Sequence, residues 1–215
     1  MKATLDLTST MMDLLAQADE KTRQLVAGCI VEAAESIAHS PPCTPDELAA
    51  SLHREIDHHV ALDIQEQAIA PEIRCSAGCS HCCKQVVAIT PDEAQLLLAA
   101  AERNGVEINR ERLQRQRGMD DAAWLTLTGT DRDCIFLDTT GRCTVYDDRP
   151  MSCRKYFSLD PPDLCNIERY PSQDIKVWFS ATAEVIASAA FTQRGCGFMA
   201  DQLLTILEGR DRRKD

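Results

Sequence analysis

Nine residues constrain this chain more than any others: Cys75-x3-Cys79-x2-Cys82-Cys83 brings four thiols into one short stretch. On a helix these positions share one face, being i, i+4, i+7 and i+8. In a loop, intervals of two and three residues let the backbone wrap an ion and aim N–H groups at thiolates. Ser76, Gly78 and Ser80 favour the loop. Cysteines can also serve as small buried hydrophobes, but Ser76, Ser80, His81 and Lys84 interrupt any such apolar face. Cys134, Cys143, Cys153 and Cys165 follow, so eight of the eleven cysteines lie between positions 75 and 165.

How such cysteines are read depends on compartment. Residues 1–8, Met-Lys-Ala-Thr-Leu-Asp-Leu-Thr, lack the apolar run of a signal peptide. No stretch approaches the ~18 consecutive apolar residues of a membrane span. A cytoplasmic location is therefore expected, where thiols stay reduced and cysteine clusters bind metal or do chemistry. An odd count in a chain of 215 residues also suits a disulfide framework poorly. The net charge of −11 argues against nucleic-acid binding, which needs clustered cations. The basic tail Arg210-Asp211-Arg212-Arg213-Lys214 reads as a frayed, solvated end.

Outside the cysteines the chain reads as helical. A helix with room for one break is expected over about 9–38, its apolar side including Met12, Leu15, Leu25, Cys29, Ile30, Ala33 and Ile37. Ser40-Pro41-Pro42 ends it. Thr44-Pro45-Asp46-Glu47 starts the next, with Leu48, Leu52, Ile56, Val60, Ile64 and Ala68 four apart, stopping at Pro71. Thr90-Pro91-Asp92-Glu93 opens another, to about Arg103 before Asn104-Gly105, and a shorter polar helix covers about 109–118. Cys134–Leu137 and Cys143–Tyr146 read as two short strands around a Gly141 turn. A long helix is expected over about 172–191, with Ile175, Trp178, Phe179, Val185, Ile186 and Ala189 buried. A last one carries Leu203, Leu204 and Leu207. The expected fold is mainly α: one α-rich domain over 1–215, a helical frame around an irregular metal-binding region at 72–166 with a small β-hairpin.

The run Cys75 to Cys83, then Cys134-Ile135-Phe136-Leu137, then Cys143-Thr144-Val145-Tyr146-Asp147-Asp148-Arg149-Pro150-Met151-Ser152-Cys153-Arg154, then Cys165, resembles the YkgJ-type cysteine-cluster family, a zinc- or iron-chelating domain. The resemblance covers about residues 72–166. It implies metal binding through Cys75, Cys79, Cys82, Cys83, Cys134, Cys143, Cys153 and Cys165, and leaves any reaction open. A similar pattern belongs to flagellin lysine methylases, where an iron–sulfur cluster and S-adenosylmethionine are implied, although this chain looks short for that enzyme.

Arg149 and Arg154 are candidates to donate to thiolates and offset the charge of an all-cysteine site; the alternative is an ion pair with Asp147 or Asp148. Tyr146 reads as core, His81 as a bystander to the cluster, and Cys29 as core. His53, His58 and His59 read as packing or solvated residues. Cys43 and Cys196 have no assignment, and no catalytic residue is named.

Three functions stand open. The first is a metal-binding protein with one or two all-thiolate centres, structural or metal-handling. The second is an iron–sulfur enzyme, with S-adenosylmethionine as one ligand for an open iron, suggested by the C-x3-C-x2-C spacing. No repeating strand–helix pattern supplies that class's barrel. The third is an interaction module whose metal fixes a surface for a protein partner. Zinc and iron–sulfur both suit thiolate. Were 134–146 a regular hairpin pairing Asp138 with Cys143, Cys134 would lie about 13 Å from Cys143. Sulfurs on one zinc stand only ~4 Å apart, so the two would feed different centres unless the hairpin bends.

Overall fold

The computed structural model describes residues 7–41, 43–76, 78–170 and 173–213. It is mainly helical. The helices are α1 (Ser9–Gln17), α2 (Glu20–Ala38), α3 (Pro45–Glu66), α4 (Pro91–Arg103), α5 (Arg110–Gln116), the short α6 (Asp121–Trp124), α7 (Ala181–Arg194) and α8 (Met199–Asp211). Four short strands, β1 (Ala88–Ile89), β2 (Tyr156–Ser158), β3 (Val177–Phe179) and β4 (Gly197–Phe198), form two antiparallel pairs, β1 with β4 and β2 with β3. No described helix is long and apolar enough to cross a membrane.

Local chemistry sets the helix boundaries. The break expected within 9–38 falls at Ala18-Asp19, where Asp19 accepts from the Thr22 N–H at 2.7 Å and starts α2. Glu47 reaches back to the Thr44 N–H at 2.8 Å to open α3. At α4 the box is reciprocal, with Thr90 Oγ1 accepting from Glu93 N at 3.1 Å and Glu93 from Thr90 N at 2.9 Å.

α7 packs on α2 and α3, α3 on α4, and α4 on α8. Between α4 and α8 lie Leu97, Leu98, Leu203 and Leu204, no more than 2% exposed, joined by Phe136 and Val145 from the cysteine-bearing loops. Between α3 and α7 lie Ile56, Ala187 and Phe191, joined by the loop residue Met151. Met11, Ile30, Ala34 and Ala189 close the third cluster.

Several expectations need correction. The helix expected over about 172–191 begins only at Ala181. Val177-Trp178-Phe179 is instead strand β3, pairing Phe157 with Trp178 and Tyr156 with Phe179. The Trp178 ring packs 5.8 Å from Phe157, and its indole N–H donates to Gln67 at 2.8 Å. Ser180, accepting from Ala183 N, is the true helix start. On α2, Leu25 and Cys29 face solvent, because the buried side is centred on Ile30 and Ala34. Ala68 falls beyond the end of α3, with a positive φ. The basic end is not frayed at its start: Arg210 and Asp211 belong to α8 and pair with Glu102 and Arg110, while Lys214 lies outside the described residues. The hairpin at 134–146 is reduced to one antiparallel bridge, Leu137 with Cys143.

Candidate metal centre

The cysteine-bearing segments are a chain of tight turns rather than one helix face. Cys79 N donates to Ser76 O at 3.0 Å and Cys83 N to Ser80 O at 2.9 Å, so the backbone reverses repeatedly and enters a 3-10 turn at His81–Lys84. Cys75 is fixed from outside: Arg74 N donates to Ser158 O at 2.8 Å, and Ser158 N to Cys75 Sγ at 3.2 Å. The edge of β2 therefore holds the first cysteine of the motif.

The later cysteines are brought to these turns. Cys134 N donates to Cys83 O at 2.7 Å, and Leu137 N turns back on Cys134 O at 3.0 Å. That turn removes the regular hairpin on which a 13 Å separation of Cys134 and Cys143 depends, and the observed bridge is one residue out of the expected register. Asp138 Oδ1 accepts from Thr140 N and Arg142 N, at 2.8 and 2.9 Å, and organises the connecting turn. These bonds, Arg142's foremost, hold the Asp138 carboxyl below its usual range. A Cβ on Gly141 would stand 3.4 Å from Ser80 Oγ, so this turn lies against the first cysteine loop. Cys153 ends the 3-10 turn Met151–Cys153. Cys165 ends another, Pro162–Cys165, which packs on the turn carrying Cys82 and Cys83.

The eight thiols are reduced, and Cys75, Cys82 and Cys153 face solvent. The Cys83 thiol donates to Cys82 and lowers the Cys82 pKa to about 7, while Cys83 itself is driven far above the ordinary thiol range. Desolvation pushes Cys134 up to about 12 and raises Cys75, Cys79, Cys143 and Cys153. Cys153 as a residue is exposed, while desolvation is the main cause that raises its thiol. Charge effects among the sulfurs sort them. Cys75 and Cys79 feel the thiolates of Cys82 and Cys165. Cys82 raises Cys83, Cys134, Cys143 and Cys153; Cys134 also raises Cys83 and Cys153, and Cys143 raises Cys134 and Cys153. Cys82 is common to both groups.

The cations act at one remove. Arg149 lowers the pKa of Cys82 and Cys143, Arg154 that of Cys143 and Arg112 that of Cys134, all through charge. Among the described hydrogen bonds, none from Arg149 or Arg154 goes to sulfur. Arg149 donates to Tyr146 O and Cys153 O and lies 4.0 Å over the Tyr146 ring. Arg154, buried, donates to the carbonyls of Asp147 and Arg149 and pairs with Asp57 of α3. Asp148 pairs with Arg103 instead. Tyr146 is 59% exposed and so is not core.

His81 sits half-buried inside the cysteine loop. His58 and His59 pack ring edge to ring face on α3, whereas His53 is buried 3.1 Å from Glu93. Cys43 and Cys196 are exposed. Sequence reasoning missed Glu93 and Lys155. The helix-start pattern flagged Glu93 as a cap, but no local signal marks the buried contacts either residue makes.

Among the described residues, no three Cys, His, Asp or Glu side chains stand close enough, as placed, to hold an ion. What fits a metal is the donor chemistry: eight thiols on adjoining turns with arginine charge around them. No curated protein and no solved structure matches the chain. Residues 74–178, just under half of the chain, match the family model CxxCxxCC, described as "Putative zinc- or iron-chelating domain". The matched segment spans all eight cysteines from Cys75 to Cys165, and its description agrees with that of the cysteine-cluster family which their spacing resembles.

Proposed function

We propose that this chain holds metal in two four-thiolate centres, one from Cys75, Cys79, Cys82 and Cys165, the other from Cys83, Cys134, Cys143 and Cys153. The observation that carries this reading is the convergence of the later turns on the first: Cys134 N donates to Cys83 O at 2.7 Å, Leu137 bridges to Cys143, and the turn ending at Cys165 packs on the one carrying Cys82 and Cys83. Four thiolates suit either zinc or iron. Arg149, Arg154 and Arg112 offset part of the charge that eight thiolates bring. Bound metal would cross-link the irregular turns, in a structural or metal-handling role within one α-rich, cytoplasmic domain. The net charge of −11 fits a metal or protein partner better than a nucleic acid.

A second reading, an iron–sulfur enzyme using S-adenosylmethionine, is favoured by the C-x3-C-x2-C interval and by the solvent-facing Cys82. Anaerobic purification, an absorption spectrum and elemental analysis separate the two. A colourless protein with stoichiometric zinc supports the first. A brown protein with iron and acid-labile sulfide supports an iron–sulfur centre. Cys79→Ser and Cys143→Ser should each remove part of the metal, and Cys29→Ser none. Equal loss from all three changes, or metal-free wild type, would overturn the reading.

A further inference from the structure

We propose that Glu93, held by His53, is a positioning residue for the centre that contains Cys153, an inference that rests on the two-centre reading above. Glu93 is fully buried at the third position of α4. One carboxylate oxygen does the work of a cap, accepting from Thr90 N at 2.9 Å and Thr90 Oγ1 at 3.3 Å. The other accepts from Met151 N at 2.7 Å and stands 3.1 Å from His53 Nε2, itself 3% exposed on α3.

Glu47 shows what capping alone requires. It occupies the same position at the start of α3, bonds the Thr44 N–H, and stays exposed. Burying a carboxylate costs several kcal/mol unless it is well satisfied. The cap does not call for that burial, whereas the turn Met151–Cys153 does. Met151 N is the first N–H of that turn, and without an acceptor it would be an orphaned donor in the interior. The remaining ties of the turn leave Met151 N untouched: Ser152 Oγ donates to Ala88 O at 2.9 Å, Cys153 N to Pro150 O at 2.8 Å, Arg154 N to Met151 O at 3.1 Å and Arg149 Nε to Cys153 O at 3.3 Å. Glu93 thus joins α3, α4 and the Cys153 turn through one side chain. Only two residues along the chain separate the anchored Met151 N–H from Cys153, whose thiol must meet three others within about 4 Å.

The test uses the full-length, metal-loaded protein and measures alkylation of each cysteine by peptide mass spectrometry, alongside chelator release. Glu93→Gln should weaken metal retention about 10- to 100-fold at one centre, as loss of an orienting partner typically does. Cys153 and Cys143 should then react while Cys75 and Cys79 stay protected, and chelator release should split into fast and slow phases. His53→Gln leaves the cap and the carboxylate in place and should show the same selectivity, so the inference stays testable if Glu93→Gln does not fold. Glu47→Gln, which alters a cap only, should match wild type. Wild-type protection of Cys153 in both Glu93→Gln and His53→Gln would overturn the proposal, and so would equal exposure of Cys75 and Cys153. If wild type itself protects neither set, the two-centre reading falls first.

Discussion

The helical frame and the cysteine-bearing loops of this chain are built on different principles. In the frame, Leu97, Leu98, Leu203 and Leu204 between α4 and α8, and Ile56 and Phe191 between α3 and α7, are almost completely removed from water. Burial of that kind is sufficient to hold helices. The loops instead run through 3-10 turns of three or four residues, which make few internal hydrogen bonds. Their buried apolar side chains, Phe136, Val145 and Met151, point back into the frame cores. Of the sulfurs, those of Cys75, Cys82 and Cys153 face solvent, while Cys134 and Cys143 lie at the margin of the α4–α8 core. A region that exports its hydrophobics and keeps its thiols needs another source of internal cohesion, and metal is the source its chemistry suits.

The largest test of this contrast is removal of metal. Structural zinc sites in small domains contribute roughly 10–16 kcal/mol of apparent binding energy, strongly pH-dependent because the thiolates must be deprotonated. Acid or a strong chelator should therefore release the loops while circular dichroism keeps most of its helical signal. Limited proteolysis should cut between about residues 75 and 84 and between 134 and 165. Equal protease resistance with and without metal would show that the loops stand on their own packing.

Next in size are the ties between the two regions. Lys155, 1% exposed in the loops, donates to the fully buried Glu184 of α7, which also accepts from Thr8 Oγ1. Desolvation lowers the Lys155 pKa, opposed by Glu184, and the Lys155 ammonium also bonds Tyr156 at 3.0 Å. Lys155→Met would leave Glu184 buried and uncompensated, a loss of about 3–5 kcal/mol. Urea unfolding should show it as a lower midpoint with an unchanged slope. A shift under 1 kcal/mol would mean that the pair is not a tie between regions.

Within the loops, the Cys82–Cys83 pair should lose its first proton at about 7, against the ordinary 9.0, because Cys83 donates to the Cys82 thiolate. In metal-free protein, iodoacetamide should modify Cys82 first, with a rate that reaches half its maximum near pH 7 and falls below it. Cys134, raised to about 12, should stay inert throughout. A rate profile for Cys82 centred near 9 would show that Cys83 does not donate to the Cys82 thiolate.

The same contrast explains what could be read in advance. α4 was legible because Thr90-Pro91-Asp92-Glu93 and Asn104-Gly105 mark both ends locally, and the structure places it at Pro91–Arg103. The eight cysteines were legible as a group because their spacing is chemistry written into the sequence. Strand β3 was not, since three hydrophobic residues fit either period and the choice is made by β2, about twenty positions earlier. The outward-facing Leu25 and Cys29 were misread because α2 carries apolar residues on more than one face. Glu93 and Lys155 stayed hidden because their defining partners lie 58 and 29 residues away. Buried charges are decided by tertiary contacts, which short-range patterns do not encode.

The finest test compares two glycines, one in each region. Gly141 in the loop turn and Gly105 after α4 both have positive φ, +78° and +65°. An alanine at either position costs roughly 1–2 kcal/mol, because Cβ crowds the following carbonyl in the left-handed region. The two differ in surroundings: a Cβ at Gly105 meets nothing within 4 Å, while one at Gly141 lies 3.4 Å from Ser80 Oγ and 3.6 Å from Gly78 O. Gly105→Ala should thus lower global stability slightly and leave the thiols as they were. Gly141→Ala should carry the same conformational cost and also press on the loop between Cys79 and Cys82. Its additional signature should be faster alkylation of Cys79 in the metal-loaded protein, with the Ser80 hydroxyl free to rotate and absorb part of the contact. If Gly141→Ala leaves alkylation of Cys79 unchanged, the 138–142 turn does not brace the first cysteine loop, and the two segments are held through the Cys134 N to Cys83 O bond and the Lys84–Asp133 ion pair instead.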